Sequence, residues 1–154
     1  MKKFVVMSLF FCLAVFQINA QNSIDKLFKD FSTAPGCESV NVGPFLMTLA
    51  KTFMSGELDF GKNINGVHIV DLANCTPKTK NRFSNRVKKV KDKQYELFTR
   101  VKDDGDNLSV WVKREKETIN EFVLLSTGDS ATLIRLRGNI TQKDIDAVVK
   151  KYAK

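Results

Sequence analysis

Residues 124–138 read LLSTGDSATLIRLRG, two apolar runs separated by Ser126-Thr127-Gly128-Asp129-Ser130. A serine in a sharp turn after a strand is what a nucleophile elbow requires, but that device is Gly-x-Ser-x-Gly between a strand and a helix. Here Gly128 stands between Ser126 and Ser130, and the run Ala131–Leu136 reads as a second strand. Gly128-Asp129 supplies a positive φ and a short polar side chain, which is hairpin chemistry. The stretch is β-turn-β, and its neighbours extend it into a meander. Ile119–Leu125 precedes it, Leu108, Val110 and Val112 alternate before that, and Tyr95, Leu97, Thr99 and Val101 alternate earlier still. Asp103 to Asn107 and Lys116-Glu117-Thr118 supply the turns between them.

Helices flank these strands. Ile24, Leu27, Phe28 and Phe31 recur at helical spacing behind Ser23, a good N-cap. Ser39–Val42 is a short strand, and Pro44 opens a second helix with Phe45, Leu46, Leu49, Ala50, Phe53 and Met54 on its inner face. Val67–Leu72 is apolar on both faces and reads as a central strand. Thr76-Pro77 starts a third helix, expected to run to about Asp92 with a thin stripe of Phe83, Val87 and Val90. Thr141-x-x-Asp144 resembles a capping box ahead of a last helix carrying Ile145, Val148, Val149 and Tyr152.

The order predicts an α+β fold: β-α-β-α, then a four-strand meander, in a mostly antiparallel sheet of about six strands. The helices are expected on one face, with a helix at the C-terminus. A helix between Ser39–Val42 and Val67–Leu72 suggests a right-handed crossover joining two parallel strands. That bears on Cys37 and Cys75. An oxidising compartment favours a disulfide between them. Parallel strands would leave them about 15–20 Å apart, at opposite sheet ends, too far for a bridge. Both readings stay open.

The first 20 residues have the layout of a secretory signal peptide: Lys2-Lys3, an apolar run from Phe4 to Phe16, then Ala20 at the cleavage position. The run is too short to span a bilayer. Cys12 lies inside it rather than after a small residue, so no lipid anchor is expected. Residues 21–154 then form a single exported domain, periplasmic or secreted.

Charge is concentrated. The full chain carries +8, and Pro77–Lys93 holds eight basic residues against one acidic. On a helical wheel Lys78, Arg82, Arg86, Lys89 and Lys93 form one stripe. Like charges at this spacing oppose the helix slightly, so an anionic partner or acidic groups elsewhere in the fold would offset them. The bland alternative is a solvated face whose long stems cover apolar surface. An envelope protein, an acidic glycan or a lipid headgroup suits the stripe better than nucleic acid, because the helix lacks interleaved aromatics.

Other chemistry is sparse. His68 is the single histidine, alternating with Val70 and Leu72, and is more readily a core histidine than a base. One histidine and two separated cysteines give no zinc spacing. No phosphate-binding or dinucleotide glycine motif occurs, so no metal or cofactor is expected.

The segments CESVNVGPFLMTLAK, INGVHIVDLAN, YELFTRVKDDGDNLSVWVKRE and INEFVLLSTGDSATLIRLRGNITQKDI occur in that order. Together they resemble the Bacteroidetes family catalogued as domain of unknown function 4252, most specifically in Glu121–Leu125 and Leu136–Ile140. The resemblance spans about Ile24 to Val149. It implies export and names no activity or catalytic residue. It also implies a second role for the turn, because bacteria of this group O-glycosylate Ser or Thr in Asp-Ser/Thr followed by an apolar residue. Ser130 in Asp129-Ser130-Ala131 fits that pattern.

The sequence therefore predicts a non-enzymatic binding module of the cell envelope, with residues 77–93 as its contact surface. Two alternatives stand beside it: a small hydrolase using His68, and a structural subunit that assembles through a sheet edge.

Overall fold

A computed structural model of the chain describes residues 23–43, 63–103 and 106–152. The expected signal peptide, the helix expected from Pro44 and the Asp104-Gly105 turn tip lie outside the described residues. So do the side chains of Val148 and Tyr152.

Helix α1, Ile24–Ser32, is followed by strands β1, Glu38–Val42, and β2, Ile64–Asp71. Helix α2, Pro77–Val87, precedes the meander β3, Glu96–Asp103; β4, Asp106–Glu115; β5, Thr118–Ser126; and β6, Thr132–Ile140. Helix α3, Gln142–Tyr152, comes last. The six strands form one open sheet in the order β1-β2-β6-β5-β4-β3, antiparallel at every described pairing. The class is α+β.

Local chemistry places the helix starts where the sequence puts them. The Ser23 hydroxyl accepts from the Lys26 N–H at 3.2 Å, and Thr76 Oγ1 accepts from the Thr79 N–H at 3.3 Å ahead of Pro77. Asp144 and Thr141 exchange the two bonds of a capping box, at 2.8 and 3.4 Å. The 124–138 stretch is a β5–β6 hairpin, with Gly128 at φ +105°.

The structure departs from the expected topology in three respects. First, β1 and β2 are antiparallel, with Val42 opposite Val67 and Glu38 opposite Asp71. A helical pattern between two strands is compatible with either a crossover or a return at the same end, and the sequence does not choose. The antiparallel pairing brings Cys37 and Cys75 to one end of the sheet, Cα atoms 5.6 Å apart, joined in a disulfide. The distance argument against the bridge fell with the parallel pairing.

Second, the helices do not share one face. On one face Ile24, Leu27, Phe28 and Phe31 of α1 and Phe83 and Val87 of α2 pack on Val70, Leu133, Val123 and Leu125. The strands' alternate residues, Val110, Val112, Phe122, Leu124, Ile134 and Leu136, form a second cluster with Ile145 of α3. Both faces of the central strands are buried, so they need cover on both sides.

Third, α2 stops at Val87, five residues short of Asp92. The Asp92 carboxylate is used elsewhere: it accepts from the Ile24 N–H at 3.1 Å, at the N-terminus of α1. That bond supplies a partner for one of the open donors of α1. It also draws the chain off the axis of α2, while Val90 turns inward to the core.

Candidate functional site

The cationic segment divides once it is folded. Phe83 and Val87 point into the core, and Thr79 and Ser84 are half-buried beside them. Arg86 turns inward and donates from Nη1 to Asp30 Oδ2 at 2.7 Å, while Lys26 meets the other oxygen at 3.1 Å. Burial alone would raise the Asp30 carboxyl, but the bonds from Arg86 and Lys26 outweigh it and hold the group below its ordinary value. Arg82 lies over the Phe31 ring, 5.1 Å from its centroid, and Arg86 approaches the same ring at 5.5 Å. Lys80 reaches across to the carbonyl of Asp129 at 3.0 Å, tying α2 to the β5–β6 turn.

The remaining cations are not used this way. Lys78, Lys88, Lys89, Lys91 and Lys93 are exposed, and none enters an ion pair or hydrogen-bonds through its side chain among the described residues. The structure therefore keeps Lys78, Arg82 and Arg86 on the helix and places Lys89 and Lys93 in the turns that follow it. Of the predicted stripe, Arg86 is consumed by the fold and Arg82 is half committed to Phe31. Lys88 and Lys91, which the helical wheel excluded, join the exposed ridge because the helix has already ended.

A second polar assembly lies on the sheet under α1. Arg135 is 5% exposed. One of its terminal nitrogens meets Asp25 Oδ1 at 2.5 Å, and its guanidinium carbon sits 4.4 Å from the centroid of Phe28. Glu121 accepts from the Tyr95 hydroxyl through one oxygen and from Arg137 Nε, at 3.3 Å, through the other. Burial first, then the bond to Glu121, pushes the Tyr95 phenol well above its usual range. Sequence reasoning missed this network. Its one visible signal is Arg135 and Arg137 alternating with Ile134 and Leu136, which places two cations on an inward face.

His68 stands opposite Arg135 across the β2–β6 ladder. Its Nε2 lies 3.3 Å from Ser32 Oγ and 3.2 Å from Ser39 Oγ, and its ring packs 4.9 Å from Phe28. The Ser32 hydroxyl already donates to the Phe28 carbonyl at 2.5 Å. It is left to accept from His68, whereas the Ser39 hydroxyl can either donate to Nε2 or accept from it. Burial, then the charges of Arg135 and Arg137, hold the imidazole below its ordinary value. A triad needs the opposite, a carboxylate that stabilises imidazolium, where this ring has two cations beside it. The geometry fits a neutral bridging histidine better than a general base.

Ser130 is exposed in the turn that follows Gly128, accessible to a modifying enzyme. Among the described residues, no group of three or more His, Cys, Asp or Glu is placed to hold a metal, and no helix is long and apolar enough to cross a membrane.

Comparison with known proteins adds one finding. The family model described as Domain of unknown function (DUF4252) matches residues 16–148, and the chain belongs to that family. No curated protein and no solved structure matches it.

Proposed function

We propose that this member of the DUF4252 family is an exported, non-enzymatic binding protein that docks through the cationic ridge of α2 and the turn after it. The observation that carries the reading is the set of lysines the fold leaves unspent: Lys78, Lys88, Lys89, Lys91 and Lys93. A folded domain that gathers like charges around a single acid, Asp92, whose carboxylate is already bonded to the Ile24 N–H, bears self-repulsion that an anionic partner relieves. Four of these five lysines follow the end of the helix, so they do not line up along one helical face. Ammonium groups on flexible stems act as point charges and make no bidentate contacts. They suit a diffuse anionic surface, such as an acidic glycan or a lipid headgroup layer, better than one discrete carboxylate. Export rests on the layout of residues 1–20.

The test compares protein made from the full-length sequence with a Lys78→Gln, Lys88→Gln, Lys89→Gln, Lys91→Gln variant. Arg86 is left in place because its loss would break the pair with Asp30. Both proteins are run against vesicles with and without an anionic lipid, and over an immobilised acidic polysaccharide, at rising salt. At about 1 kcal/mol per lysine near an anionic membrane, the variant should lose two or more decades of affinity there. Wild-type binding should fade as salt rises. The arm that binds names the surface. Capture of an acidic protein from envelope extract, with neither arm binding, would move the partner to protein. Equal behaviour of wild type and variant in every arm would sink the ridge. A mass matching a chain that begins at Gln21 tests the export segment.

A further inference from the structure

At the end of the sheet away from the disulfide, the ladder is broken on both sides of β6. Register shifts fall between Ile64 and Gly66 where β2 pairs with β6, and between Ile119 and Glu121 where β5 pairs with β6. At the first break the extra residue is Asn65 of β2, and at the second it lies in β6, where Gly138 and Asn139 together stand opposite Asn120. Bulges leave backbone groups outside the ladder and re-aim side chains, and they recur beside functional sites. Gly138 has φ +140°, and a Cβ there would run into the carbonyl oxygen of Asn63. That carbonyl also accepts from the Asn139 N–H at 3.0 Å, which fixes the approach of the two segments.

Above this region lies an open groove of about 550 Å³, a volume ordinary for small-molecule sites. Its lining is polar and carries two charges, Arg137 and Glu121, which are paired with each other. Asn63, Asn65 and Asn139 are exposed in it, and their side-chain amides enter no hydrogen bond among the described residues. Arg137 is half exposed, and its terminal nitrogens are likewise unspent among the described residues.

We propose that this groove binds a neutral, hydroxyl-rich ligand, a saccharide unit, through Arg137, Glu121 and the amides of Asn63, Asn65 and Asn139. The Arg137–Glu121 pair disfavours an ion as the natural occupant. An anion drawn to Arg137 would meet Glu121, and a cation drawn to Glu121 would meet Arg137. The donors and acceptors of the lining suit hydroxyls. Each sugar hydroxyl both donates and accepts, and each side-chain amide does the same from one planar group. The guanidinium fork and the carboxylate add a bidentate donor and an acceptor with capacity to spare. An apolar ligand would leave all of these groups dry and unpaired, at a cost. The proposal is independent of the cationic ridge, whose residues do not line the groove.

The experiment is an amide NMR titration of protein made from the full-length sequence. The probes are mannose, galactose, glucose and N-acetylglucosamine and their short neutral oligomers, with glucuronic acid and glucosamine as charged controls. Saturable shifts at Asn63, Asn65, Gly138 and Asn139 with at least one neutral saccharide are expected. Arg137→Gln and Asn139→Ala, both at exposed positions, should each keep the wild-type spectrum elsewhere. Arg137→Gln should weaken binding about tenfold, the scale of one hydrogen bond to a charged group. Three results overturn the proposal: no saturable shift at these amides with any neutral saccharide, shifts with the charged controls alone, or a neutral saccharide that binds both variants as tightly as wild type.

Discussion

The sheet face beneath α1 and α2 has a dry end and a wet end built from the same strands. On β6, Leu133 is fully buried among apolar side chains, and Arg135, two residues along on the same face, is buried almost as deeply as a charge. On β5, Val123 and Leu125 stand at the dry end and Glu121 at the wet end. Phe28 marks the boundary, with Arg135 over its ring and His68 at its edge. The difference teaches that strand alternation decides which side chains point inward, while the cover above decides what chemistry they need. Where two helices supply apolar partners, inward residues are aliphatic. Where that cover thins, a network of charges and hydroxyls closes the face instead.

The sharpest way to break this comparison is to empty one position at each end. Phe31 is fully buried, meets Phe83 edge-on at 5.1 Å, and has the Arg82 and Arg86 guanidiniums over its ring. Phe31→Ala should cost about 3–5 kcal/mol in urea unfolding. Arg135→Met keeps the volume and contact with Phe28. It strands little charge, because the Asp25 side chain is 67% exposed and Glu121 retains Tyr95 and Arg137. Its cost should fall well below the roughly 3–5 kcal/mol of breaking a fully buried pair. Equal losses at the two positions would mean that the wet end is as tightly coupled to folding as the dry one.

The next effect belongs to the dry end alone. The Cys37–Cys75 bridge spans 38 residues of sequence. On the chain-entropy scale, a Cys37→Ser, Cys75→Ser double variant should lose about 3–4 kcal/mol. The bridge lies at the far end of the sheet from the groove, so groove-lining amide signals should stay in place while stability falls. Large shifts at Asn63 or Asn139 in that variant would show that the two ends are one cooperative unit.

Much of the dry end was legible in the sequence, because Phe31, Phe83, Val123 and Leu133 obey simple periodicities. Ser23, Thr76-Pro77 and Thr141-x-x-Asp144 announced their helix starts for the same local reason. The β1–β2 direction was not legible: it depends on where the chain returns, which no local pattern encodes. Nor was the end of α2, set by Asp92 reaching a residue 68 positions away. The wet end was hidden differently. Arg135 and Glu121 look like surface residues until Phe28, Asp25 and Tyr95 are brought over them. The bulges at Asn65 and at Gly138-Asn139 each shift the alternation by one, which reads in sequence as a strand losing its pattern. The lysines were legible as a concentration of charge; which of them the fold would spend was not.

The smallest expected effect is a titration that belongs to the wet end. Burial, with Arg135 and Arg137 close by, holds the His68 imidazole below its ordinary 6.5, so the unfolded chain binds this proton more readily than the folded one. Its contribution to stability is therefore complete above 6.5. It declines as pH falls from there to the folded-state value, and is flat below that. The depressed carboxyl of Asp30 acts in a separate and lower window, its stabilisation being present above 3.8 and lost as pH falls through the folded value. His68→Gln removes one titration and leaves the other. Urea unfolding near pH 7.5 and near pH 5 should show wild-type stability falling, with a slope of less than about one proton, and a flatter profile for the variant. If the two profiles coincide, His68 is not held neutral. The electropositive pair beside it would then be screened, and the wet end would be more open to water than its burial indicates.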